Sequence, residues 1–236
     1  MESMREGNCR NQIRRTGEFF SKLPSSALED FSSMERPTSH AANVVLFAEG
    51  EPVRSVFIII EGEVRLSINS SEGKRLSLRI AREGDIIGLS SALSGTPYDM
   101  TAETLYPAKI ASIERREFLK FLSRNPDAYQ SVTEELGRQM STACSQLRTL
   151  GLSSSAPEKL ARLLLEWGGR GQTKESGCRM RFSLTHEEIG DFIGTSRETV
   201  SRTLSNFKSR RLVAFQGCMM TIPSRAALAD YAHAQA

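Results

Sequence analysis

Apolar positions along the chain fall into three regimes. Between residues 18 and 34 they recur at helical spacing, which predicts one short amphipathic helix. From 43 to 114 they come as short runs, VVLF, VFIII, VRLSI, LSLRI, DIIG and AKIASI, punctuated by Gly50, Gly62, Gly73, Gly84, Gly88 and Gly95. Strand-sized runs with turn signals every ~8–12 residues predict an all-β sandwich or barrel. EGE at 61–63 and SSEGK at 70–74 read as hairpin turns. From Arg115 onward the period is helical, with a break at Asn125-Pro126, and Pro126 suits the first turn of a new helix.

On that new helix Val132, Leu136, Met140, Ala143, Leu147 and Leu150 recur at steps of four and three. This is the a/d stripe of a coiled-coil seam. Such a stripe either packs on its own domain or pairs two copies. Its length, and the linker-like GLSSSAP at 151–157, favour pairing.

Beyond the linker, Leu160, Leu163, Leu164 and Trp167 share one helical face. GGRGQTKESG (168–177) reads as a polar loop, RMRFSL as a strand and RLVAFQGCMMTI as a hairpin about Gln216-Gly217. Between them lies LTHEEIGDFIGTSRETVSRTLSNFKSRRLV. Thr185 and Glu188 fit a capping box, and Ile189, Phe192 and Ile193 give that helix an inward face. Gly194 suits a left-handed turn, and Thr195 or Ser196 caps a second helix. Two short helices about a glycine turn make a helix-turn-helix.

On the second helix Val200, Leu204 and Phe207 share one face, while Arg197, Glu198, Ser201, Arg202 and Ser205 fan across the other. Arg donates bidentately to guanine and Glu accepts from cytosine N4. Both types stand near the N-terminal end, where a recognition helix meets base edges. The same residues also fit a solvated face with an i,i+4 Glu198–Arg202 pair, or a capping box between Thr195 and Glu198.

Composition narrows the class. The 236 residues are 39% apolar and 25% charged, as in a soluble globular chain of one or two domains. No run of ~18 apolar residues exists, and MESMREGNCRNQIRR lacks the apolar core of a secretory signal, so a cytoplasmic protein is expected. Cys9, Cys144, Cys178 and Cys218 form no CxxC, which weighs against zinc and iron–sulfur sites and favours free thiols. From Lys159 onward there are 12 Lys and Arg against 7 Asp and Glu, whereas the preceding residues carry 19 against 21. A basic C-terminal segment is a mild nucleic-acid signal. No GxSxG, HExxH, P-loop or dinucleotide fingerprint appears, so an enzyme is not expected.

EIGDFIGTSRETVSRTL, together with VFIIIEGEV through EGDIIGLSSALSG, closely resembles the Crp–Fnr superfamily of bacterial transcription regulators. The likeness runs from about residue 19 through the helix-turn-helix. It implies an α+β chain: a jelly-roll-like β-roll sensor domain (1–125), a dimerisation helix and hinge (126–152) and a winged helix-turn-helix (153–236). Double-stranded DNA, a second copy of the chain and RNA polymerase are the partners expected, with no membrane.

In the cyclic-AMP receptor branch, Arg, Glu and Arg of an SRETVxR run contact bases, and Arg197, Glu198 and Arg202 match all three. The oxygen-sensing branch reads with Glu, Ser and Arg, matched by Glu198, Ser201 and Arg202. Ser196 and Thr199 fall where the family touches phosphates. The effector side departs from both branches. Gly88 of the family's Gly-Glu-Leu cassette is kept, but Leu89-Ser90 follows it, and Tyr98-Asp99 stands where Arg-Ser would clasp a cyclic phosphate. Asp99 would repel that phosphate, so cyclic AMP is not expected. Gly88, Leu89, Ser90, Tyr98 and Asp99 are left as a pocket for another effector, or as a vestige.

With only Cys9 near the N-terminus, an iron–sulfur cluster is not expected. No cofactor is predicted. Haem stays open, although His40, His186 and His233 have no recognisable haem context. Two other functions fit parts of the pattern. One is a β-roll regulatory subunit of an enzyme, which would lack the helix-turn-helix. The other is a redox-responsive regulator acting through free cysteines such as Cys9 or Cys144, the latter beside the seam and otherwise a small buried hydrophobe.

Overall fold

The computed structural model describes residues 18–153, 155–169, 172–174, 177–182 and 184–234. Cys9 and the other N-terminal residues lie outside that set. The chain divides into two compact units, one from residues up to Gly73 and Leu78–Thr142, the other from Lys74–Ser77 and Ala143 onward.

The first unit opens with two helices, α1 (Glu18–Ser21) and α2 (Ser25–Met34), where one was expected. Pro24 separates them, because its ring disfavours helical backbone at Leu23 and removes an N–H. Eight strands follow: β1 (Arg36–His40), β2 (Val45–Phe47), β3 (Ser55–Glu61), β4 (Val64–Asn69), β5 (Arg75–Ala81), β6 (Ile86–Ile87), β7 (Thr101–Thr104) and β8 (Ala108–Glu114). They form two four-stranded sheets, ordered β1-β8-β3-β6 and β2-β7-β4-β5. A short helix, α3 (Leu89–Ser94), interrupts them after β6. This is a β-roll.

Strand alternation explains why VFIII is a continuous apolar run. Ile59, with Phe47, Val64, Leu66, Ile87, Tyr98, Ala102 and Ile110, fills the interior of the roll. Val56 and Ile58 belong to a second cluster with Phe19, Phe31, Phe118, Phe121 and Val132. A strand buried on both faces has no polar alternation to show.

Helices α4 (Arg115–Arg124) and α5 (Asp127–Leu152) follow, with Asn125-Pro126 between them as expected. The 26-residue α5 begins in the first unit and ends in the second. It absorbs the start of GLSSSAP, so that linker shrinks to the residues between Leu152 and Ala156.

The second unit contains α6 (Ala156–Gly169), β9 (Gln172–Lys174), β10 (Gly177–Arg181), α7 (His186–Ile193), α8 (Arg197–Ser209), β11 (Ala214–Gln216), β12 (Met219–Ile222) and α9 (Arg225–His233). Its sheet is ordered β11-β12-β10-β9. The expected polar loop at 168–177 thus contains the end of a helix and a strand. Leu160, Leu163, Leu164 and Trp167 are all buried, and the Trp167 ring meets Phe192 edge-on at 5.2 Å.

Candidate nucleic-acid interface

The helix-turn-helix is fixed by caps and by two glycines. Thr185 Oγ1 accepts from the Glu188 N–H, while Glu188 Oε2 accepts from the Thr185 N–H, a complete capping box on α7. Such a cap stabilises a helix end by about 1 kcal/mol. α7 ends at Gly194, whose φ of 63° is left-handed. The following turn passes so close to α7 that a Cβ on Gly190 would stand 2.6 Å from the Thr195 carbonyl oxygen. Ser196 caps α8, its Oγ accepting from the Thr199 N–H at 3.3 Å.

Val200, Thr203, Leu204 and Phe207 are the buried side of α8. Arg197, Glu198, Arg202 and Ser205 are exposed on the other side, and Ser201 and Thr199 are half-buried. Neither the Glu198–Arg202 pair nor the Thr195 capping box forms. Arg202 Nη2 donates to Thr199 Oγ1 at 3.4 Å rather than pairing with Glu198. The α8 cap is Ser196, not Thr195, so Glu198 closes no capping box with Thr195.

The Glu198 carboxyl is held below its ordinary range. Its own backbone N–H is the main cause, then the Ser196 hydroxyl, with the charges of Arg197 and Arg202 adding. It therefore presents an ionised acceptor at neutral pH. A depression of about 320 Å³ lined by Thr185, His186, Glu187 and Arg197 adjoins this face. Ser196 and Thr199, the expected phosphate contacts, are hydrogen-bonded to each other at 3.2 Å.

At the far end of α8, Arg211 takes φ 58° and the Leu212 N–H reaches back to the Phe207 carbonyl at 2.9 Å. This left-handed helix stop ordinarily uses glycine. Lys208 Nζ lies 4.6 Å from the Phe215 ring centre, tying α8 to the β11–β12 hairpin. Arg210 covers Tyr231 at 5.4 Å. The aromatic partners of Lys208 and Arg210 lie on other elements, where no local motif announces them.

The α5 stripe splits in two. Val132 is 3% exposed and belongs to the first unit's own core, and Leu136 packs against that core. Val132 is thus covered within one chain, while Leu136 is only half-buried. Met140 and Leu147 remain 66% and 68% exposed, Ala143 is exposed and Leu150 half-buried. Cys144 beside them is half-buried, Cys218 is exposed on the hairpin, and buried Cys178 donates from Sγ to the Gly168 carbonyl. Gln146, buried on the same helix, donates from Nε2 to the Phe192 carbonyl at 2.8 Å.

The five candidate effector residues do not converge. Leu89 is 1% exposed within the apolar cluster outside the roll interior. Ser90 and Asp99 are exposed to solvent. Gly88 and Tyr98 do meet, a Cβ on Gly88 falling 3.1 Å from the Tyr98 ring. Among the described residues no cluster of three or more His, Cys, Asp or Glu forms that could hold a metal.

Residues 158–231 match the Crp-like helix-turn-helix domain, and residues 37–125 match the cyclic nucleotide-binding domain. The chain is 28% identical to the CRP-like cAMP-activated global transcriptional regulator of Mycobacterium tuberculosis over 92% of its own length and 96% of that protein. It is 26% identical to the nitrogen fixation regulation protein FixK of Bradyrhizobium diazoefficiens, covering 87% of this chain and 86% of that one. The structure of FixK2 from Bradyrhizobium japonicum shares the fold, with a TM-score of 0.74 at 24% identity, over 83% of this chain and 96% of that one. A CRP-family transcriptional regulator from Thermus thermophilus gives 0.66 at 27% identity over 83% and 96%.

A β-roll followed by a capped helix-turn-helix with an exposed polar row defines a DNA-binding transcription regulator. The chain belongs to the Crp–Fnr superfamily. Its relatives are regulators and not enzymes, which sets aside the reading as an enzyme's regulatory subunit. No helix among the described residues is long and apolar enough to cross a membrane.

Proposed function

We propose that the chain acts in the cytoplasm as a homodimer, reads an inverted-repeat DNA site and responds to something other than cyclic AMP. The observation that carries the reading is the exposed row on α8, in which Glu198 is ionised and unpaired with Arg202. Glu198 accepts from a cytosine N4, and Arg202 donates to a guanine. Arg197 adds a second guanine contact in the cyclic-AMP receptor mode, or Ser201 contributes in the oxygen-sensing mode. Ser196 and Thr199 reach phosphates when their mutual hydrogen bond opens.

Two recognition helices related by a two-fold axis call for half-sites about 34 Å apart. The exposed Met140, Ala143 and Leu147 supply the apolar strip for that pairing. RNA polymerase is the further partner such a regulator would engage. The M. tuberculosis relative is called cAMP-activated. In this chain Leu89 is buried apolar and Tyr98-Asp99 replaces a clasping Arg-Ser, so the family cassette's own donors to a cyclic phosphate are missing.

Selection from random double-stranded DNA tests the reading. The expected product is a two-fold symmetric motif whose information at one base pair per half-site collapses in Glu198→Ala. An asymmetric or featureless pool would sink it.

A further inference from the structure

We propose that the β-roll binds a small planar aromatic monocarboxylate in a cavity beside Phe57, which shares Tyr98, but none of Gly88, Leu89, Ser90 and Asp99, with the expected effector pocket. The cavity is about 450 Å³, within the range of small-molecule sites. Leu46, Phe47, Phe57 and Tyr98 give it an apolar wall, and Glu51, Arg54 and Ser55 stand among its polar groups.

The aromatic wall is a ladder. Phe47 stacks on Tyr98 with centroids 4.0 Å apart, and Phe57 stacks on Phe47 at 5.4 Å. Phe47 and Tyr98 are buried, whereas Phe57 is only half-buried. The ladder therefore ends in a ring with surface still open to the cavity. A planar ring adds to such a stack in offset or edge geometry.

The charge comes from Arg54. Among the described residues its side chain has no partner. Every other described arginine of this unit is committed to an oxygen: Arg65 to Glu103, Arg79 to Asp85, Arg82 to Glu63 and Arg115 to the Ala92 carbonyl, with Arg36, Arg116, Arg124 and Arg138 likewise engaged. A guanidinium fork accepts one carboxylate through two parallel bonds. Glu51 on the same wall opposes a second negative charge, which sets the ligand at one.

A cyclic nucleotide shares the planar ring and single charge, but its ribose and base ask for further hydrogen bonds. The Ser55 backbone N–H and carbonyl are already taken by the Tyr98 hydroxyl, and Glu51 Oε2 accepts from the Ala48 N–H. The carboxylate is the occupant these groups satisfy.

Calorimetric titration and ligand-observed NMR on the full chain test the site with benzoate and naphthoate as probes. Saturable naphthoate binding is expected, weakened about tenfold in Arg54→Gln by loss of a charged hydrogen-bonded pair. Phe57→Leu, which keeps apolar volume but not the ring, should also weaken it. Cyclohexanecarboxylate and naphthamide should bind less well than naphthoate. Non-saturable binding, or affinity unchanged in Arg54→Gln, would overturn the proposal. So would cyclic AMP binding tighter than naphthoate and lost in the same variant, which would make a nucleotide the occupant. Arg54 is exposed and lacks a side-chain partner among the described residues, so an unchanged Tm checks that the variant is folded. No DNA enters the titration, so this proposal and the DNA-reading one fail separately.

Discussion

The Tyr98 hydroxyl donates to the Ser55 carbonyl at 2.7 Å and accepts from the Ser55 N–H at 3.1 Å. One side chain thus fastens the segment before β7 to the first residue of β3, with its ring beside Gly88. Where the family resemblance placed a phosphate-clasping arginine, this chain has a buried tyrosine whose polar end is fully used.

Rebuilding the family's cyclic-AMP cassette by Leu89→Glu, Tyr98→Arg and Asp99→Ser should therefore fail. Leu89 is packed in an apolar cluster, so its replacement puts a carboxyl where no partner waits. The expected loss is about 3 kcal/mol or more, read as a lowered Tm, with no micromolar cyclic-AMP binding by calorimetry. A triple variant with wild-type Tm and micromolar affinity would show that the roll opens more readily than its packing implies.

Met140→Asp with Leu147→Asp should give monomers in analytical ultracentrifugation at little cost to the fold, because both side chains are exposed in the single chain. Leu136→Asp is a poorer probe, since it also disturbs the core that Leu136 packs against. A double variant that sediments as a dimer would move the interface elsewhere.

Glu198→Ala should relax discrimination at one base pair per half-site by about 1–3 kcal/mol, measured by competition between variant operators. The pH sign follows from its depressed carboxyl. The ionised form is favoured in the folded chain, fully so above the ordinary carboxylate range, and is lost only as pH falls through the lowered value. Base preference should thus persist into weakly acidic buffer. Loss of that preference as soon as pH entered the ordinary glutamate range would contradict the assignment.

Arg211→Gly should stabilise the second unit by about 1 kcal/mol, because φ 58° is costly for a residue with a Cβ and free for glycine. The urea midpoint is the measurement. An unchanged or lowered midpoint would mean the arginine side chain contributes an interaction that outweighs its backbone strain.

The helix-turn-helix was legible in the sequence because each of its signals is local: a capping box four residues long, a glycine turn and a serine cap. Its order of elements needed no tertiary information. The β-roll was legible only where strands are apolar. β1, RPTSH, is almost wholly exposed and pairs only with β8, so it has neither hydrophobic run nor alternation to announce it. β7, TAET, buries only Ala102 and Thr104, side chains too small to stand out. The candidate effector residues differ in their surroundings for a different reason. Adjacent positions such as Gly88 and Leu89 share a motif in sequence, but the start of α3 turns Leu89 into another cluster. A heptad stripe likewise does not say which of its turns the chain's own core will cover.

The hydrogen bond from Gln146 to the Phe192 carbonyl gives α5 a mechanical role. The Phe192 carbonyl near the end of α7 is held by the helix that carries Leu147, so the final turns of α5 and the reading head turn together. A helix advances 1.5 Å and rotates about 100° per residue. In the proposed dimer, sliding two copies of α5 by a single residue would therefore swing the heads apart as well as shift them, and the operator spacing would gauge how those helices are wound.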